Sequence, residues 1–137
     1  TLSLNKDLTM AQYLDDFVPG LTNSNNLMVL RTQQVDMGNA AHALTLVAAG
    51  AAQTQISAMI IEVDPAGGAQ NLTLPPEESS AGVVLVLRNA ADAAENVVVK
   101  NDAAATVVTI AQGKASLIAC IPNAAGTPTW RELLTLA

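Results

Sequence analysis

The chain has 137 residues, half of them hydrophobic, a formal net charge of −6 and one cysteine. The length allows one domain with a short arm. The six basic residues, Lys6, Arg31, Arg88, Lys100, Lys114 and Arg131, are scattered, so the basic stripe of a nucleic-acid binder is missing and an anionic membrane surface is a poor partner.

Tyr13, Phe17 and Trp130 are the only aromatic residues. Alanine, valine and leucine must fill the core, and such side chains bury little area each. A chain of this kind gains from extra burial in an oligomer.

From the N-terminus, Asn5, Lys6 and Asp7 interrupt what would otherwise read as a signal peptide. Thr9 and Gln12 have capping-box spacing, in which each side chain satisfies a free backbone N–H at a helix start. Met10, Tyr13, Leu14 and Phe17 then recur at helical spacing, and Pro19-Gly20 stops the pattern. This predicts a short helix over 9–17 within an N-terminal arm of residues 1–20, in which Leu2, Leu4 and Leu8 alternate with polar residues.

After the polar loop Thr22–Asn26 the signals become β. Strands are expected over 27–36, 42–48, 55–63, 71–74, 83–88, 96–100, 105–111, 115–121 and 128–135. Turn chemistry lies between them: D64-P-A-G-G68, P75-P-E-E-S-S-A-G82, N89-A-A-D92, N101-D102 and P122-N-A-A-G126. The run A48-AGAAQT54 has a helical alternative that Gly50 weakens. Short strands at this spacing predict a mainly β domain over 27–137, an antiparallel, jelly-roll-like β-sandwich. The stretches from Leu85 and from Val97 share an order of apolar run, base, Asn and small acidic turn, offset by about twelve residues. We read these as two successive strand–turn units rather than a solenoid, since no third copy is found.

Successive side chains of a strand face opposite ways. Val83, Val84, Leu85, Val86 and Leu87 are apolar throughout, as are Val97, Val98 and Val99, so both faces of these strands should be covered. Either the N-terminal helix or another copy of the chain would cover the second face, and the strands are expected to serve as core and subunit interface. No segment approaches the roughly 20 apolar residues needed to span a bilayer.

Chemistry-bearing patterns are sparse. His42 stands among alanines, far in sequence from a carboxylate partner, and reads as a structural or surface histidine. Cys120 sits in the apolar run L117-I-A-C-I121 and reads as a buried small hydrophobe. The chain has no zinc, phosphate-loop, dinucleotide or calcium motif. Gly67-Gly68 falls in an expected hairpin turn, and the adjacent pairs Asp15-Asp16 and Glu77-Glu78 do not converge. The expectation is a non-enzyme with no metal and no cofactor.

One block, from about Asp64 to Leu133, resembles a module of tailed-bacteriophage virion proteins. It carries L72-T-L-P75, Gly82, V84-L-V-L-R-N89, V97-V-V-K-N101, V107-V-T-I110, Gly113, S116-L-I-A-C120 and G126-T-P-T-W130. The resemblance implies a trimeric capsid decoration (cement) protein, made in the host cytoplasm and placed on the outer capsid surface of the virion. Its partners would be the major capsid protein and two further copies of itself. It would contact the capsid through the arm, at Leu2, Leu4, Leu8, Tyr13, Leu14 and Phe17, while Trp130 anchors the end of the sandwich. A tail- or fibre-associated module binding a receptor or glycan is the alternative. An unrelated β-sandwich binding domain is a third reading.

Overall fold

The computed structural model describes residues 31–136, so the expected helix over 9–17 and the arm contacts fall outside the described residues. Residues from Arg31 onward form one compact unit. Its strands in chain order are β1 (Thr32–Gly38), β2 (His42–Thr45), β3 (Gln53–Gln55), β4 (Ile60–Pro65), β5 (Gln70–Thr73), β6 (Val84–Asn89), β7 (Val97–Lys100), β8 (Thr106–Ile110), β9 (Ala115–Pro122) and β10 (Pro128–Leu136). A single 3-10 turn, Glu77–Ser79, is the helical element among the described residues.

The strands form two mixed five-stranded sheets, β1-β4-β6-β9-β10 (sheet A) and β3-β2-β5-β7-β8 (sheet B). Alternation explains which side chains face inward. Leu85 and Leu87 of β6, Val97 and Val99 of β7, and Ile61 and Val63 of β4 are all buried, while the residues between them are half-buried or exposed. The inward side chains of both sheets meet in one hydrophobic core that includes Trp130. Full burial of a valine or leucine contributes about 1.5–3 kcal/mol, so leucines and valines repeated across the core offset the scarcity of aromatics.

The antiparallel, jelly-roll-like expectation is corrected by the pairing. β1-β4, β4-β6, β3-β2, β2-β5 and β5-β7 are parallel. Only β6-β9, β9-β10 and β7-β8 are antiparallel. The chain passes from sheet A to sheet B three times, as β1–β2, β4–β5 and β6–β7, and stacks each pass beside the last. Thr32 pairs with Ile60 and Ile60 with Val86, offsets of 28 and 26 residues. This is the winding of a short solenoid, contrary to the expectation. It leaves no matching repeat in the sequence because stacking requires inward apolar side chains, not identical ones. The echo between Leu85 and Val97 runs along one pass, from β6 in sheet A to β7 in sheet B.

The segments read as turns between strands divide accordingly. N101-D102 and P122–G126 are hairpin turns, joining β7 to β8 and β9 to β10. Those after β4, β5 and β6 cross between sheets. The first crossing needs a glycine: Gly67 has φ +72°, and a Cβ there would lie 2.6 Å from the Asn39 side chain. Residues 48–54 form a turn leading into the short β3, with no helix.

Candidate interaction surface

Two asparagines build the antiparallel hairpins in the same way. The Asn101 side-chain oxygen accepts the Ala105 N–H at 2.8 Å, and Asn123 accepts that of Thr127 at 3.0 Å. Each hairpin has one left-handed residue at the same place, Ala104 (φ 64°) and Gly126 (φ 80°). A third asparagine, Asn89, ends β6 fully buried. It donates to the carbonyls of Glu95 (2.7 Å) and Ile110 (2.9 Å) and accepts from the Ala91 N–H (2.9 Å). The loop from β6 to β7 is therefore held by one saturated polar side chain.

The segment Pro75–Ser80 ties the two sheets together. Trp130 donates its indole N–H to the Pro75 carbonyl at 2.9 Å. The Glu77 carboxylate accepts the Trp130 backbone N–H at 3.1 Å and the Asn101 side-chain amide at 3.5 Å. Trp130 belongs to sheet A and Asn101 to the turn directly after β7 of sheet B, so this segment bridges both.

The ionisable groups with shifted titration have structural partners. His42 bonds the Thr54 hydroxyl at 2.7 Å, and burial lowers its pKa against an opposing pull from Asp36. The Cys120 thiol is buried and donates to the Glu77 carbonyl at 3.6 Å. Burial raises its pKa, and the negative charges of Glu77 and Glu78 raise it further. Among the described residues no group of three or more His, Cys, Asp and Glu side chains is placed to hold a metal ion. Asp36 and Asp64 sit side by side in the β1–β4 ladder and line a hollow of about 290 Å³ with Glu62, which pairs with Arg88 at 3.4 Å.

The outward face of sheet A carries an apolar row bounded by polar residues. The registers align Ile60, Val86, Leu117 and Leu134 in one row across four strands. Val84, Ala119 and Arg131 form the next row. Val84 is 38% exposed, Leu134 52% and Leu136 39%. The ladder is irregular between Glu132 and Leu134, and Leu133 between them is 50% exposed. Isolated exposed leucines are ordinary, but an apolar row that continues across four strands is a mark of an interaction surface.

The candidate interface residues thus divide by face. Leu85, Leu87, Val97, Val99 and Trp130 are core. Val84 and Val86 face outward on sheet A, and Val98 is half-buried on the outward face of sheet B. Val83 packs partly buried against the core. Sequence reasoning missed Ile60, Leu117, Leu134 and Leu136. The signal was present: Leu117 alternates with the buried Ser116 and Ile118, and Leu133-Leu134 closes a strand after the buried Trp130.

No family, no curated protein and no solved structure matches this chain.

Proposed function

We propose that the chain is a structural protein of a tailed-bacteriophage virion, a head decoration protein that binds the outer capsid as a homotrimer and ties neighbouring major capsid subunits together. The observation that carries the reading is the outward apolar row of sheet A, Ile60–Val86–Leu117–Leu134, on an acidic domain. That row gives copies a face to share. The arm residues Leu2, Leu4, Leu8, Tyr13, Leu14 and Phe17 are the proposed contacts with the capsid. The motif resemblance from Asp64 to Leu133 supplies the virion context.

Trimerisation suits such a role because three arms on one body raise the effective concentration of each contact. A receptor- or glycan-binding fibre module is less well supported. Trp130, the one aromatic side chain among the described residues, is 4% exposed and offers no ring for a sugar to stack on.

Two measurements test the proposal. Light scattering on the purified chain should give three times the monomer mass, and Leu134→Glu should lower it. Co-sedimentation with capsids stripped of decoration protein should show saturable binding. A wild-type chain that stays monomeric at all concentrations and ignores such capsids would overturn the reading.

A further inference from the structure

The outward face of sheet A carries opposite charge at two opposite corners. Val35 and Val63 point into the core, so Asp36 of β1 and Asp64 of β4 point outward, side by side in the parallel ladder and exposed. Trp130 points inward, so Arg131 of β10 points outward and is exposed. Its neighbour Glu132 pairs with the inward-facing Ile118 and accepts the Ser116 hydroxyl at 3.1 Å. Arg131 and Asp64 stand three strands and three rows apart on this face, roughly 25 Å at ordinary strand and residue spacings.

Neither corner meets an opposite charge within the chain. Among the described residues the only ion pair is Arg88–Glu62, which lies between the two corners. Lys114 approaches the end of β6, where its carbonyl accepts the Asn89 N–H at 2.9 Å, but it forms no ion pair there. The Asp36 carboxylate accepts the Gly38 N–H at 2.9 Å, and that of Asp64 has no partner among the described residues. Like charges side by side in a ladder repel, and a cation placed over them removes that cost. Among the described residues no group holds a metal ion, whereas a guanidinium fork needs only the two carboxylates.

The apolar row joins these corners and ends differently on each side. On the β10 flank Leu133, Leu134 and Leu136 project. On the β1–β4 flank Asp36 and Asp64 line the hollow of about 290 Å³, with Ile60 in the apolar row beside it. One flank is raised and cationic, and the other is hollow and acidic. Bringing like flanks together would set acids on acids, while unlike flanks complement each other. Contacts between unlike flanks are heterologous, and such contacts close into rings.

We infer that copies of this chain join head to tail across sheet A, the β10 flank of one against the β1–β4 flank of the next, with Arg131 at Asp36 and Asp64. The leucines supply the buried area, and the charges set which flanks meet. This deepens the trimeric reading and rests on it, since three such contacts close the ring.

The test is light scattering on the full chain and on three variants: Arg131→Glu, Asp64→Arg, and the two combined. Both positions are exposed, and circular dichroism reports whether each variant keeps its fold. Each single reversal sets like charges together and should weaken the trimer at least about tenfold in concentration. The combined variant restores opposite charge at every contact and should return to the wild-type mass and concentration dependence. Trimers unaffected by Arg131→Glu or Asp64→Arg, or a combined variant no better than the singles, would overturn this pairing and leave the trimeric reading standing. A wild-type chain that is monomeric or dimeric would overturn both.

Discussion

At the scale of single residues, the paired hairpins provide an internal control. Ala104 occupies the left-handed position that Gly126 fills in the other hairpin. An L side chain there is strained by roughly 1–2 kcal/mol, and part of that is returned by the stiffer unfolded chain. Ala104→Gly should therefore stabilise the domain by about 0.5–1 kcal/mol, and Gly126→Ala should destabilise it by a similar ~1 kcal/mol, both read by urea denaturation. Asn89 lies at the opposite extreme, since replacement by leucine strands two carbonyls and an N–H in the interior. A loss of about 3 kcal/mol is expected. His42 sets a pH signature. Its folded pKa is depressed by burial, so below about 6.5 the unfolded chain binds the proton more readily. Stability should fall as pH drops through 6.5 towards the folded value, and a His42→Asn variant should lack that component of the melting curve.

At the scale of elements, the strands were largely legible and their partners were not. Runs such as V84-L-V-L87 and V97-V-V99 declare strands because alternation and branched side chains survive in one dimension. Parallel and antiparallel pairs share that period of two, so the same letters are silent on direction. The turn after β4 misled for this reason: Gly67-Gly68, expected in a hairpin, suits a crossing between sheets as well. β3 was invisible because Gln53-Thr54-Gln55 has no apolar alternation. Of the sheet A face only Val84 and Val86 were read, while Ile60, Leu117 and Leu134 required a register that only the pairing supplies. The Pro75–Ser80 segment was likewise visible only as a loop, although Trp130 and Glu77 make it a bridge. Trp130→Phe retains most of the ring and removes the bond to Pro75, so a cost of about 1–2 kcal/mol is expected in thermal or chemical unfolding.

At the scale of the whole molecule, the winding sets folding and assembly. Parallel partners 26 to 30 residues apart must find each other before the core forms, as in Ile60 with Val86 and His42 with Leu72. Such non-local pairing predicts refolding on the millisecond-to-second scale, which stopped-flow tryptophan fluorescence would follow through the buried Trp130. Under the proposed decoration role, removing residues 1–20 should leave a folded β domain with weakened capsid binding. Circular dichroism and co-sedimentation of the truncated chain check both halves.

β1 is joined to its neighbour β4 by parallel pairs from Thr32 with Ile60 to Asp36 with Asp64. A pull on the chain along the axis of β1, entering at Arg31, would load these bonds in shear, all at once. A pull across the sheet would instead open them one after another, like a zip. A domain tethered through its N-terminal side is thus mechanically anisotropic, and it resists most when the tether draws along the strand.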